Sequence, residues 1–354
     1  MISPNAQQNL GVVADVRPVF ISGVYRSSTT FLAALVGCHE QYRATSSLVK
    51  FMRFCLYRFN PIQEPENHER LVDEAFQRVK KRWDVTFDAA AALAHARQNG
   101  ISYASLYDAL MRQILIDNGG GDEEWIDKTA VLWSRIPEFL SMFPKGKVIH
   151  ILRDPRSVCA SYKKITNEPG YTYLDAAFNT IHSIQSVRRF IKQLGSDRIL
   201  LLKSEDLLTN PEHHVAEICD FLDVPFSDQM MQPDKFGEIL GEDWKSNTSF
   251  RGTLSGFHPP SEYWRKNMDA AEIKFVEMIT QPYLSEFGYN ADGLPPTKDE
   301  WTQMYDFLED PLIRERFSKL LKTGEGSEGY RTDPYLTEMR IVFPERFAGQ
   351  QTGQ

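Results

Sequence analysis

The chain has 354 residues, of which 42% are hydrophobic, 25% charged and 12% aromatic, and its formal net charge is −8. That balance excludes a disordered tail and a collagen-like fibre, and the length suffices to bury a full core, as one large α/β domain or two smaller ones. The acidic excess argues against nucleic acid, heparin-like polyanions or an anionic membrane as main partner, and leaves room only for a local basic pocket.

Residues 1–17 read as a loose N-terminal arm. Val19-Phe20-Ile21 is an apolar run that stops at Ser22-Gly23, and a helix-compatible stretch follows over 29–37, which reads as strand, loop, helix. The apolar run 31–38 falls far short of the roughly 20 residues a spanning helix needs, and no secretory signal is visible. Residues 48–115 look mostly helical: Leu71, Ala75, Phe76 and Val79 recur at helical spacing, and 89–96 is a strong helix former. Gly119-Gly120-Gly121 marks a turn before a short strand at Trp125-Ile126-Asp127. The run 148–152, β-branched at Val148, Ile149 and Ile151, fits a buried parallel strand ending at Arg153. A long amphipathic helix is predicted over 174–194, a strand over 199–202, and helices over 211–222 and 269–287. Beyond Pro295-Pro296 a further helix-like stretch covers 301–321. Strands alternating with helices predict an α/β fold with a central parallel sheet flanked by helices. Cys38, Cys55, Cys159 and Cys219 are widely spaced with no CxxC pair, so neither a zinc site nor a redox pair is expected. Read as reduced thiols, they predict a cytoplasmic location.

Two stretches are suited to phosphate. The first is Gly23-Val24-Tyr25-Arg26-Ser27-Ser28-Thr29-Thr30, between a strand and a helix. Backbone N–H groups at a helix N-terminus point at an anion held there, the hydroxyls of Ser27, Ser28, Thr29 and Thr30 add donors, and Arg26 adds a permanent cation. It is not the GxxxxGK[ST] loop of nucleoside triphosphatases, since Ser28 stands at the second glycine and Thr29 at the lysine. The other stretch runs from Arg153 to Tyr162: Asp154 suits an N-cap, Pro155 the first helical turn, and Ser157 and Ser161 share a helix face. Arg153 and Ser161 can thus converge on one phosphate. Each stretch alone also reads as an ordinary capped helix. Together, about 125 residues apart, they can meet at the carboxyl edge of a parallel sheet and hold a ligand with two phosphate groups.

These residues resemble the sulfotransferase family that uses 3′-phosphoadenosine-5′-phosphosulfate (PAPS). The stretch 23–30 is similar to that family's 5′-phosphosulfate loop, GxxRSGTT, with Ser28 in place of the glycine. The stretch 153–162 resembles its 3′-phosphate motif, with Arg153 and Ser161 at the matching positions. Lys203-Ser204-Glu205-Asp206-Leu207 is similar to the family's YEDL segment, with Ser204 for the tyrosine, and Trp264-Arg265 and Phe287-Gly288-Tyr289 resemble its C-terminal region. The resemblance spans roughly 18–290. It implies a P-loop-like sulfotransferase domain there, a helical acceptor-side insert at about 50–120, and a C-terminal extension over 291–354.

It also implies the chemistry: transfer of a sulfuryl group from PAPS to a hydroxyl or amine, releasing adenosine 3′,5′-bisphosphate without a metal. Arg26, Ser27, Ser28, Thr29, Thr30, Arg153, Ser161, Phe250, Arg251 and Gly252 are the expected donor-binding residues. Lys128, matching a Lys-Thr segment of the family, is the expected cation at the leaving oxygen. The general base stays open. The histidine many relatives carry after Lys-Thr is Ala130 here, and the glutamate others carry after the first helix is missing from Thr45-Ser46-Ser47-Leu48. Asp127, Glu40, His182 and His258 are the candidates, with His39 and His150 reading as structural. Trp244, Phe250 and Trp264 are candidate adenine clamps. The acidic balance favours a small-molecule acceptor, with no nucleic acid or membrane partner, and leaves room for a homodimer. The competing readings are a phosphate-loop small-molecule kinase, disfavoured by the missing lysine, and an inactive nucleotide-binding scaffold.

Overall fold

The computed structural model describes residues 10–45, 47–166, 168–232, 257, 260–291 and 293–348. Strands β1 (Val19–Gly23), β2 (Tyr42–Ala44), β3 (Glu124–Lys128), β4 (Lys147–Leu152) and β5 (Ile199–Lys203) form one sheet in the order β2-β3-β1-β4-β5. Every neighbouring pair is parallel, as expected of buried apolar runs joined by helices. Helix α1 (Thr29–Val36) follows β1. Helices α2 (Phe51–Phe54), α3 (Pro65–Trp83), α4 (Ala89–Gln98) and α5 (Tyr103–Asp117) lie between β2 and β3, and α6 (Ile136–Met142) between β3 and β4. Helices α7 (Pro155–Ile165) and α8 (Asp175–Leu194) link β4 to β5, and α9 (Ser204–Thr209) and α10 (Pro211–Leu222) follow it. Further on come α11 (Trp264–Asn267), α12 (Ala270–Glu286), α13 (Lys298–Phe307), α14 (Pro311–Thr323) and α15 (Pro334–Val342).

Alternation along the strands divides the core into two layers. Val19, Ile21, Ile126, Ile149, Ile151 and Leu202 face one side, where α1 and α10 pack. Phe20, Trp125, Val148 and Ile199 face the other, with α5, α6, α8 and α12. This is the doubly covered parallel sheet the sequence predicts. One strand was not among the expected elements, and one local expectation differs. Strand β2 has only three residues with charged Arg43 at its centre, too short to show a pattern. The 301–321 stretch is two helices rather than one, because Pro311 cannot continue a helix and Asp310 caps the later one by accepting from Leu312 N.

Neighbouring β1 and β4 place Gly23 opposite Ile151, so the loops leaving the two strands start side by side. A Cβ on Gly23 would lie 2.7 Å from the Ile151 carbonyl oxygen, so only glycine lets the strands end this close. The segment after α14 returns to the same neighbourhood along α8. Gly326 N donates to Gln185 Oε1 at 3.2 Å, Ser327 N to the Phe178 carbonyl at 3.1 Å, and Lys319 Nζ to the Gly326 carbonyl at 2.7 Å. A Cβ on Gly326 would meet Phe178 O at 2.3 Å and His182 N at 2.4 Å, both rigid helix backbone. Gly326→Ala is therefore expected to destabilise the chain by about 1–3 kcal/mol, read as a lowered urea midpoint. An unchanged midpoint would mean that this segment does not lie on α8.

Candidate active site

The stretch expected to hold the donor, called the donor loop below, is the turn from Gly23 into α1. Its backbone takes the left-handed region at Arg26 and Ser28, both with φ 67°. Ser28 occupies the N-cap of α1 in that conformation, the position where the family pattern has glycine. A side chain there costs about 1–2 kcal/mol relative to right-handed backbone. Ser204 donates a hydrogen bond to Ser28 Oγ at 2.8 Å. The two departures from the family pattern, serine for glycine and serine for tyrosine, thus touch each other at the head of α1 and the head of α9.

The 153–162 motif meets this loop directly. Arg153 donates to the Arg26 carbonyl at 2.9 Å, and Arg26 Nε donates to Ser161 Oγ at 3.0 Å, across 135 residues of sequence. Asp154 caps α7 through Arg156 N, and its own N–H donates to Glu205 at 2.9 Å, while Tyr289 donates to the other oxygen of Glu205 at 2.8 Å. Burial and the neighbouring Arg153 push the Arg26 guanidinium below its ordinary pKa. Burial lowers Arg153 too, against the pull of Glu205 and Asp154. Two partly desolvated cations side by side suit an anion between them. From the end of β3, Lys128 Nζ donates to Thr30 Oγ1 at 3.0 Å. Ser27 and Thr29 are buried, whereas Arg26, Ser28, Thr30, Lys128 and Arg153 keep part of their surface. Hydroxyls, helix N-terminus and three cations are a donor set that fits a nucleotide with charged groups at both ends.

The base candidates are placed differently. Asp127 alternates with Lys128 and faces the other side of the sheet, buried, where Tyr107 donates to it; burial raises its pKa. His182 lies on α8 and its Nδ1 accepts from Trp133 Nε1 at 2.9 Å; burial and nearby Lys319 and Arg189 push its pKa down to about 4. None of these contacts touches the donor loop. His39 binds the Pro225 carbonyl, and His150 is wholly buried with its pKa pushed down to about 3. Trp264 is not a clamp: it is fully buried beneath Arg156, whose guanidinium lies 4.1 Å from its ring centre. His258, Trp244, Phe250, Arg251 and Gly252 lie outside the described residues.

A cavity of about 550 Å³ is lined among others by Arg53, Tyr57, Leu132, Arg135, Glu328 and Tyr330, with none of residues 23–30 in its wall. Arg53 donates to the carbonyls of Ala130 and Val131, just past Lys128, and its guanidinium lies 5.1 Å from the Tyr330 ring centre. Tyr330 in turn stacks on Tyr25 of the donor loop at 5.4 Å. Glu328 accepts from Ser134 N at 3.0 Å, and burial raises its pKa. Sequence reasoning missed Glu328 and Tyr330 because they lie in the tail beyond the motifs, and no periodicity marks them. Another cavity, about 470 Å³, opens at the amino edge of the sheet beside Lys147 and Arg198, away from these loops. Among the described residues no group of three or more His, Cys, Asp or Glu is placed to hold a metal ion.

Comparison with known proteins bears on these features. A model of the sulfotransferase family matches residues 18–228. Over 300 residues the chain is 21% identical to the protein-tyrosine sulfotransferase of Drosophila melanogaster, covering 80% of this chain and 54% of that protein. It is 21% identical over 292 residues to protein-tyrosine sulfotransferase A of Caenorhabditis elegans, covering 78% and 68%. The chain thus spans about half the length of the Drosophila relative. Among solved structures, the sulfotransferase domain of the Synechococcus PCC 7002 olefin synthase shares the fold, with a TM-score of 0.53, 22% identity, and 80% and 98% of the two chains covered.

These relatives correct two expectations. A small-molecule acceptor does not stand beside relatives named for protein tyrosine. Net charge is a property of the whole surface, and it says little about a cavity where Arg53, Arg58 and Arg135 gather. The cytoplasmic location is overturned by the same relatives. All four cysteines are free and buried, and buried thiols stay unpaired in either redox setting, so they were no guide to compartment. Among the described residues no helix is long and apolar enough to cross a membrane.

The paired serines give a direct test of the loop. In thermal unfolding, a double-mutant cycle of Ser28→Gly and Ser204→Ala is expected to show coupling of about 1 kcal/mol. Strict additivity would mean that the hydroxyls act separately.

Proposed function

The chain belongs to the sulfotransferase family, and from that membership we propose that it transfers a sulfuryl group from PAPS to a tyrosine of a polypeptide acceptor. The contact that carries the donor half of this reading is the clasp of Arg26, Arg153 and Ser161, which joins the two phosphate-binding motifs. The acceptor half rests on the protein-tyrosine sulfotransferases to which the chain is similar.

When bound, PAPS supplies the sulfuryl group, which passes to the acceptor oxygen as the 5′-phosphate departs. Arg153 and Ser161 hold the 3′-phosphate. The amides and hydroxyls of 27–30 hold the 5′ end, with Arg26 bracing both. Lys128, fixed on Thr30, balances the charge that grows on the leaving oxygen. The cavity beside Tyr330 takes the phenol ring, and its aromatic and arginine walls suit a flat ring with a polar tip. Glu328, whose pKa burial raises, is the carboxylate in that cavity which we assign to accept the phenol proton.

Arg153→Ala is expected to weaken binding of adenosine 3′,5′-bisphosphate by about 10–100-fold, the worth of a charged hydrogen bond. Lys128→Ala should abolish transfer and leave that binding within a few-fold. Calorimetry with the bisphosphate and a labelled-sulfate assay separate the two, and wild-type affinity in Arg153→Ala would refute the assignment.

The acceptor is tested by incubating the enzyme with PAPS and a tyrosine-containing peptide, then measuring the mass gain of one sulfate. A Tyr→Phe version of the peptide should gain nothing. Glu328→Gln should lower kcat by about 10²–10⁴-fold with bisphosphate affinity unchanged. Equal labelling of the phenylalanine peptide would sink the tyrosine reading.

A further inference from the structure

The C-terminal tail, beyond the stretch 18–228 that matches the family, carries a side chain that touches the donor loop. Residues 325–330 belong to no helix or strand, yet the chain is held on both sides of Tyr330. Gly329 N donates to Asn179 Oδ1 at 3.0 Å, and Asn179 is itself fixed by donating to the Asp175 carbonyl at 3.0 Å and carboxylate at 2.9 Å. On the other side Arg331 donates to Thr172 Oγ1 at 2.7 Å and to Asp310 Oδ2 at 2.9 Å. Anchors at both neighbours limit where the ring between them can lie.

The Tyr330 ring stacks on Tyr25, with centroids 5.4 Å apart and planes at 30°. Tyr25 is buried and also meets Tyr162, at 4.3 Å. The Tyr25–Tyr162 contact runs beside the clasp, one residue away at each end. Tyr25 precedes Arg26, Tyr162 follows Ser161, and Arg26 Nε donates to Ser161 Oγ at 3.0 Å. Arg26 has left-handed backbone (φ 67°), which an arginine keeps only where its neighbours fix it. The Tyr330 ring also lies under the Arg53 guanidinium, 5.1 Å from its centre. Arg53 donates to the Ala130 and Val131 carbonyls, and Val131 N donates to the Gly23 carbonyl at 2.9 Å. One ring of the tail therefore bears on the loop twice: directly on Tyr25, and through Arg53 and Val131 on Gly23.

We propose that Tyr330 is a positioning residue of the donor site, whose ring holds Tyr25 against Tyr162 and so keeps Arg26 directed at Ser161 and the 3′-phosphate. The inference rests on the donor reading of the clasp. Tyr330 acts through Tyr25, and its ring face is the part that matters. An aromatic pair favours offset and tilted arrangements that an aliphatic side chain cannot reproduce, and a cation over the ring adds to that preference. Without the ring, Tyr25 can turn away from Tyr162 and the left-handed turn at Arg26 loses a support. Binding of the bisphosphate must then restore the turn, which lowers affinity.

The experiment is calorimetry of the full chain with adenosine 3′,5′-bisphosphate, well below the unfolding temperature, with a melting temperature recorded for each variant. Tyr330→Leu keeps apolar bulk and removes the ring. It should bind about tenfold more weakly, the size expected when an aromatic contact is lost. Tyr330→Phe keeps the ring and should bind as wild type. Tyr25→Leu should be weakened, and adding Tyr330→Leu to it should weaken binding no further, because the two rings act as one unit. Tyr330→Met carries the same expectation and replaces Tyr330→Leu if that variant does not fold. A folded Tyr330→Leu or Tyr330→Met that binds as wild type, whatever its melting temperature, overturns the inference and spares the donor reading. So does Tyr330→Phe that binds as weakly as Tyr330→Leu, or a double variant whose two losses simply add. Failure of the wild-type chain to bind the bisphosphate overturns the donor reading itself.

Discussion

Arg26 and Arg153 are held against each other at the ends of neighbouring strands, and burial depresses both. Left empty, such a pair opposes folding, because each guanidinium loses water and gains a like-charged neighbour. The surroundings offset this. Asp154 and Glu205 pull Arg153 back up, and the Arg26 carbonyl and Ser161 hydroxyl accept one N–H from each arginine. Much of the nearby architecture serves to keep the pair in place: Gly23 lets β1 and β4 finish together, Glu205 ties the start of α7 to α9, and Tyr289 locks Glu205 from beyond α12.

From that clasp the site extends through an aromatic relay rather than through the sheet. Tyr25 in the donor loop packs on Tyr162 of α7 at 4.3 Å and on Tyr330 of the tail at 5.4 Å. Arg53 covers Tyr330 and holds the backbone just past Lys128. Donor loop, insert and tail therefore share one set of contacts, and a shift of the tail along α8 would be felt at Tyr25. The backbone fit of Gly326 on α8 sets where that tail begins its approach.

How much of this was legible in the sequence depends on the range of the interaction. The runs at Val19-Phe20-Ile21 and 148–152 announced buried parallel strands, and the glycine, arginine and hydroxyl spacing marked two strand–helix turns as suited to an anion; both are local signals. That Arg26 would reach Ser161 follows from β1 and β4 being neighbours, which strand order alone decides. Asp127 looked adjacent to Lys128, yet strand alternation turns it to the other face, towards Tyr107. Trp264 read equally as clamp or core, and the stack with Arg156 makes it core.

Ser28 and Ser204 carry the remaining lesson about departures from a pattern. Taken separately, each weakens a motif: one puts a side chain where glycine suits a left-handed N-cap, the other removes a tyrosine. In space they are one hydrogen bond. The cost of a Cβ at φ 67° is of the same order as the hydrogen bond that the serine hydroxyl gains, so the exchange is close to neutral in energy. It is not neutral in what it connects. A glycine loop is held only by its own backbone, whereas this loop is pinned through a side chain to the helix that bears Glu205, and so to the cap of α7. Both turns then hang on α9, which gives the short segment after β5 a structural reason to stay rigid.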